Sequence, residues 1–202
     1  MNQSTRKLNL AEPIMSVHDA IHYRRSTRQY VAQAVTEKQV HTLIDAAIHA
    51  PSAMNRQPWA FVVIQRPALL KQISDAAKDH LLQISDESHH KEFGHLPLDD
   101  PGFDIFYGAN TLIVICAKEE VGFSPVGDCY LAAENLMLEA HEMGLATCSV
   151  GFARDVLCQP QWKERLSIPA GYHPVLPIVV GYSAHSVPET ERAPAKVFAW
   201  IT

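Results

Sequence analysis

Apolar positions along the chain alternate between a helical and a strand-like period. Ser16, followed three residues on by Asp19, has the spacing of a capping box and opens "SVHDAIHYRR" as a helix. Thr36 with Gln39 repeats that signal. Val40, Leu43, Ile44, Ala47 and Ile48 then fall at i, i+3, i+4, i+7 and i+8, a single apolar stripe. "WAFVVIQR" (Trp59–Arg66) is β-branched and aromatic and reads as a strand. Pro67 suits the first position of a helix running through "PALLKQISDAAKDHLLQI". Ser85–Gly102, polar and rich in His, Pro and Asp, reads as a mobile excursion. "TLIVICAK" (Thr111–Lys118) is apolar on both faces and so belongs at the centre of a sheet. "VGDCYLAAENLMLEAHEMG" is a long helix whose apolar residues include Leu131, Leu136, Met137 and Leu138, ended by Gly144 at C′. "LATCSVGF" and "HPVLPIVVGY" supply two more strands around a weaker helical stretch, Arg154–Leu166.

Strands this few, with some long connections, favour an α+β sandwich in which helices cover a central sheet, over a doubly wound fold. No repeat period and no Gly/Ser-rich linker divides the chain, so the expectation is a polar leader, residues 1–15, and a single domain, residues 16–202. The tail "KVFAWIT" places Phe198 and Trp200 where water would surround them, so it needs a surface to cover, which hints at a dimer.

Composition narrows the function classes. The 202 residues are 47% hydrophobic and 19% charged, and a net charge of −5 gives no global field to attract nucleic acid. The beginning "MNQSTRKLNLAEPIM" lacks the apolar run of ~7–15 residues of a signal peptide. Runs such as "FVVI" and "LIVICA" fall far short of the ~20 residues of a membrane span. Cys116, Cys129, Cys148 and Cys158 are scattered, without a C-x-x-C pair, and read as small buried hydrophobes of a reducing compartment. The expectation is a cytoplasmic protein with neither membrane nor nucleic-acid partner.

Four stretches carry candidate chemistry. "YRRSTRQY" packs three arginines around Ser26, a combination that repels itself unless an anion such as phosphate lies between, since guanidinium forks donate paired hydrogen bonds to it. With Ser16–Tyr23 helical, Arg24 and Arg25 fall in the last turn and Ser26–Arg28 in the loop; a solvated basic helix end is the plainer alternative. "HAPSAMNRQPWAF" offers Ser52, Asn55 and Gln57 between Pro51 and Pro58, groups able to read the edge of a polar heterocycle, or simply a Pro/Ser/Asn turn. "TCSVGFARD" has Ser149 and Gly151 after a strand, leaving backbone N–H groups accessible to a flat ligand. "TERAPAK" adds Arg192 and Lys196, by default surface residues. His18 and His22 stand at metal-binding spacing but without a third ligand, and "SHHKEFGH", with His89, His90 and His95, reads as a solvated loop, so no metal site is expected. No dinucleotide fingerprint and no nucleophile elbow is present. Phe103, Phe106, Tyr107 and Phe123 suit either a substrate channel or core packing.

Taken together, "RRSTRQY", "APSAMNRQPWAFVVI", "LAAENLMLEAHEMGLATCSVGF", "LSIPAGYHPVLPIVVGY" and the Arg-x-Pro of "ERAP" resemble the FMN-dependent nitroreductase family over nearly the whole chain after the leader. The resemblance implies a three-layer α/β/α sandwich with a mixed, mainly antiparallel central sheet, an extended C-terminal tail and a homodimer. It implies FMN as cofactor, its phosphate held by Arg24, Ser26 and Arg192, with Arg25 contacting the cofactor through backbone or stem. Arg28 is implied at flavin N1 and C2=O, where a fixed cation stabilises the charge that reduction places there. Val150 and Gly151 approach the N5 side, and the loop Pro51, Ser52, Ala53, Met54, Asn55 with Gln57 reaches the flavin of the other subunit. The implied reaction is hydride transfer from NAD(P)H through the flavin to a nitroaromatic, quinone or similar flat acceptor by a ping-pong cycle, with no dedicated protein acid or base. Thr190 stands where many relatives have lysine, so Arg25 is a candidate replacement, and Asn110 stands where many have proline. Dehalogenation, flavin fragmentation, azoline oxidation and a slowly turning flavin sensor remain alternatives.

Overall fold

The computed structural model describes residues 15–84, 96–119 and 124–202. The histidines at 89, 90 and 95, Phe123, residues 85–95 of the expected excursion and residues 1–14 of the leader lie outside these.

The first helix, α1 (Val17–Tyr23), starts as its sequence predicts: Ser16 Oγ accepts from the Asp19 N–H at 3.0 Å. It ends earlier than expected. Arg24 is already extended at the C-cap, so Arg25 lies beyond the helix rather than in its last turn. Helix α2 (Glu37–Ile48) opens with a full capping box between Thr36 and Gln39, and buries Val40, Leu43 and Ala47 of the predicted stripe, leaving Ile48 outward. Strand β1 (Trp59–Ile64), helix α3 (Pro67–Ile84) and strand β2 (Thr111–Lys118) follow.

Helix α4 (Val126–Glu142) departs from its predicted apolar set. Its buried face is Cys129, Ala132, Ala133, Leu136 and Ala140, while Leu131 is 49% exposed. Small residues bring it close to α2 and the sheet, which the count of large apolar residues did not reveal. The helix stops at Gly144, φ +72°, where Gly144 N–H donates to His141 C=O and Leu145 N–H to Ala140 C=O. That bond pair is a Schellman motif, and it satisfies two otherwise orphaned carbonyls. Strand β3 (Ala146–Ser149) comes next, then the short helices α5 (Arg154–Leu157) and α6 (Pro160–Arg165) in place of the one weak helix expected, and finally β4 (Tyr172–Gly181).

The four strands lie in the order β1-β2-β4-β3, each neighbouring pair antiparallel. Strand β4 is internal yet contains Pro174 and Pro177. Pairing with β3 runs from Gly181 to Ile178, so both prolines lie beyond that register. The Pro177 carbonyl accepts from Val150 N–H, so its nitrogen faces that side, past the end of the β3 ladder, and its missing donor leaves the pairing with β2 intact. The sheet separates two cores: α2 and α4 over Ile113, Ile115 and Ile178 on one face, and α3, α5 and α6 over Leu112, Val114 and Val179 on the other. This is a three-layer α/β/α sandwich with helices on both sheet faces. Phe106 is fully buried in the second core, not on a channel, whereas Phe103 and Tyr107 are half-buried at its margin. Beyond Tyr182 the chain is an extended tail with Phe198 99% and Trp200 85% exposed. No described helix is long and apolar enough to cross a membrane.

Candidate functional site

The segment after α1 is stitched into the sheet edge. Ser26 bridges Thr147 of β3 in parallel, and Thr27 N–H donates to Thr147 C=O at 3.0 Å. On its other side, Val31 N–H donates to Tyr182 C=O and Ala184 N–H to Gln29 C=O, both at 3.0 Å. Tyr30 completes the clamp by bridging Ser183. The arginine motif is thus held as a short extra strand between β3 and the chain leaving β4. Arg24 and Arg25 precede this clamp and Arg28 lies within it.

Arg24, Arg25, His141, Thr147 and His185 line a pocket of about 430 Å³. A second hollow of about 250 Å³ shares Thr27, Ser183, His185, Ser186 and Val187 with the first and adds Ser26 and Arg28. The first pocket is cationic and under-satisfied. Arg24 Nε, Arg25 Nε and His141 Nε2 are all buried without a hydrogen-bond partner. Their nearest acids are distant or exposed: Glu134 is 3.6 Å from Arg24 Nε, and Glu189 is 4.0 Å from an Arg25 terminal nitrogen. Arg25 also donates to the carbonyls of His22 and Arg24, fixing its terminal nitrogen locally. Burial, and then the charges of Arg24 and Arg25, hold the His141 imidazole below its usual pKa. Buried polar groups are nearly always paired, so three such nitrogens on residues lining one pocket mark a place for an acceptor-rich anion.

Arg28 points to different company. Its guanidinium reaches the Tyr107 hydroxyl and lies near Cys148, lowering the pKa of both groups, although burial keeps each raised overall. Tyr107 sits at φ +58°, followed by Gly108 at +77°, in a turn pinned by the Asp104 carboxylate, which accepts from the N–H groups of Phe106 and Gly108. Ser26 also acts on the Cys148 thiol, lowering its pKa against the larger effect of burial. Val150 N–H is committed to Pro177 C=O at 2.8 Å, so Gly151 is the backbone donor of that pair not tied to the sheet. Arg24–Arg28 and Val150–Gly151 are therefore gathered around β3.

The loop from Pro51 to Gln57 belongs elsewhere. Met54, Asn55 and Gln57 all have φ near +50°, a region that costs non-glycine residues about 1–2 kcal/mol each. Ser52 Oγ accepts from Gln57 N–H at 2.9 Å, Asn55 Oδ1 accepts from Gln57 Nε2, and the Asp128 carboxylate of α4 accepts from Ala53 N–H. These bonds hold the strained turn and present Met54, 82% exposed, to the outside. Through Ala53 the loop is tied to α4. Arg192 is exposed in the tail.

Sequence reasoning missed His141 and Glu134, and it offered Tyr107 only for a substrate channel or core packing, not as a partner of Arg28. A histidine in a last helical turn reads as favourable to the macrodipole, and only the geometry beyond Gly144 aims it at the arginines. Among the described residues no group of three or more His, Cys, Asp or Glu is placed to hold a metal, and His18 and His22 stack on each other with centroids 3.9 Å apart.

Comparison with known proteins places the fold. The chain belongs to the Nitroreductase family, whose pattern matches residues 21–182. It is similar to a Methanothermobacter thermautotrophicus protein provisionally named NADH dehydrogenase/NAD(P)H nitroreductase, 27% identical over 175 residues, covering 85% of this chain and 80% of that one. Among solved structures it resembles an FMN-dependent nitroreductase from Clostridium difficile, with TM-score 0.75 and 25% identity over 91% of this chain and 98% of the other. A nitroreductase with bound FMN from Desulfitobacterium hafniense aligns with TM-score 0.78 at 23% identity, covering 91% and 97%.

Proposed function

We propose that this chain is an FMN-dependent oxidoreductase that takes reducing equivalents from NADH or NADPH and passes them to a flat, electron-poor acceptor such as a nitroaromatic or a quinone. The observation that carries the reading is the cluster of buried nitrogens without hydrogen-bond partners on Arg24, Arg25 and His141, placed where the family motif begins. A phosphate monoester has the acceptors those donors lack, so the residues present fit the phosphate end of FMN. When bound, FMN supplies the reversible two-electron chemistry that links a hydride donor to the acceptor.

Each residue then has a bounded task. Arg24 and Arg25 hold the phosphate, and Arg25 stands in for the cation absent at Thr190. Ser26 and Arg192 add a hydroxyl and a guanidinium to the same end. Arg28, steadied by Tyr107, offers a fixed positive charge to the pyrimidine edge. Gly151, exposed and without a side chain, lets a flat ring approach the end of β3. No protein acid or base is required, because orientation and fixed charge do the work.

The functional unit in this reading is a homodimer. Val197, Phe198, Trp200 and Ile201 of the tail, Val17 and Ile21 of α1, and Tyr130 and Leu131 of α4 are all exposed. Exposed apolar surface of this extent needs a partner. A second copy would cover it and would bring its Pro51–Asn55 loop to the flavin. The test is direct: the purified protein should be yellow with one FMN per chain, run as a dimer, and bleach on stopped-flow mixing with NADH or NADPH. A colourless monomer that takes up no FMN would overturn the reading, and a flavin inert to both donors would make the protein a sensor instead.

A further inference from the structure

His141 occupies a position that the arginine motif does not explain. It sits in the last turn of α4, where the Schellman bonds to Gly144 and Leu145 turn the chain back into β3. Its Nε2 is buried without a partner, and the residue lines the same pocket as Arg24 and Arg25. We propose that His141 is a third side-chain donor to the FMN phosphate, and that it takes up a proton as the phosphate binds. The inference rests on the FMN reading above and deepens it by one residue and one proton.

The charges around the imidazole set the sign. Arg24 and Arg25 face it from the end of α1, and His185 lines the pocket from the chain after β4. Glu134 and Glu189 lie against the two arginines rather than against the ring, and Glu139 and Glu142 flank it on α4, with Asp45 of α2 near Glu139. Without an anion, burial and the two arginines favour the neutral imidazole. A phosphate carrying close to two negative charges reverses that balance, and the C-terminal end of α4 also favours a cation there. The charged imidazole then gives a charge-assisted hydrogen bond, about twice the strength of a neutral one. Affinity for FMN should fall as pH rises through the ring's phosphate-bound pKa. FMN's own second ionisation, near pH 6, acts identically on any variant and cancels in the comparison.

The experiment is calorimetric titration of apoprotein with FMN, in paired buffers of different ionisation enthalpy, for wild type, His141→Gln and His141→Ala, with riboflavin as the phosphate-free control. Wild type should take up more protons than His141→Gln near neutral pH. His141→Ala should bind FMN about tenfold more weakly at pH 6.5, a gap that narrows by pH 9. Riboflavin affinity should be the same in all three. Equal proton uptake and equal FMN affinity in wild type and His141→Gln would overturn the proposal while leaving the FMN reading intact. So would equal losses for riboflavin and FMN, which would make His141 a structural residue. Failure of wild type to bind FMN would overturn both.

Discussion

Gly181, the last residue of β4, lies under the ring of Tyr30: a Cβ added there would come 2.8 Å from Tyr30 Cδ1. Tyr30 has little freedom to yield. Its hydroxyl donates to Thr27 C=O at 2.8 Å, its backbone bridges Ser183, and burial pushes its phenol pKa well up. The ring is therefore a wedge that sets how deeply the arginine segment sits against β3. Gly181→Ala should destabilise the fold by about 1–3 kcal/mol, the usual cost of overpacking. Because Tyr30 is two residues from Arg28, FMN retention should weaken as well. Urea denaturation of the apoprotein and an FMN titration read the two effects separately, and an unchanged midpoint would show that the ring yields freely.

Glu134 stands against the cofactor pocket. Its carboxylate is 3.6 Å from Arg24 Nε and its side chain is 50% exposed, so the pair is worth little to stability. It does compete for Arg24 with any bound phosphate. Glu134→Gln should leave the melting temperature nearly unchanged and tighten FMN binding by about two- to fivefold at low salt. The gain should shrink as ionic strength rises. Weaker binding in the variant would show that Glu134 orients Arg24 rather than competing for it.

The buried thiols give the fold an alkaline limit. Burial pushes Cys116 and Cys129 from 9.0 to about 12, and Cys129 Sγ lies 3.9 Å from Cys116 C=O in the interior. The sign follows from linkage. Below pH 9 both states keep the thiols protonated and the stabilisation is complete; between pH 9 and about 12 only the unfolded chain releases the proton. Stability should therefore fall by about 1.4 kcal/mol per pH unit for each thiol in that window. Denaturation at pH 8, 9 and 10 should show a shallower slope for Cys116→Ala than for wild type. Parallel slopes would mean that Cys116 stays protonated in the unfolded chain or ionises in place.

How much of this was legible in the sequence depended on whether the signal was local. The N-cap at Ser16, the capping box at Thr36, Pro67 at a helix start and Gly144 at a helix end are short-range chemistry, and all four stand where the residues put them, although at Ser16 the Asp19 carboxylate takes the hydroxyl rather than closing a box. The sandwich followed from the few strands and long connections, and the strand Thr111–Lys118, apolar on both faces, needed a cover above and below. Leu131 turned outward because α4 packs through a face of mostly small residues, Cys129, Ala132, Ala133 and Ala140 with Leu136, a fact of packing that the count of large apolar residues does not reveal. The arginine motif was readable, but its partners were not. His141 and Tyr107 meet Arg24 and Arg28 only because the segment after α1 joins β3 at Thr147, more than a hundred residues away. The strain at Met54, Asn55 and Gln57 was likewise hidden, since none is the glycine that usually announces such a turn.

Arg28 offers the sharpest separation of binding from redox tuning. Its guanidinium lies toward Tyr107, and it lines the second hollow rather than the pocket of Arg24 and Arg25. A cation at the pyrimidine edge stabilises the reduced flavin more than the oxidised one, because reduction adds negative charge there. Arg28→Lys should keep most of that field, whereas Arg28→Glu reverses it. Arg28→Glu should lower the two-electron potential of the bound flavin by about 30 mV or more, equivalent to about 1.4 kcal/mol of lost differential stabilisation. FMN affinity should also fall, with riboflavin affected as strongly as FMN because the contact is to the ring. Spectroelectrochemical titration of the reconstituted variants measures the first effect and paired titrations the second. A potential unmoved by charge reversal would place Arg28 away from the ring, and a loss confined to FMN would return it to the phosphate.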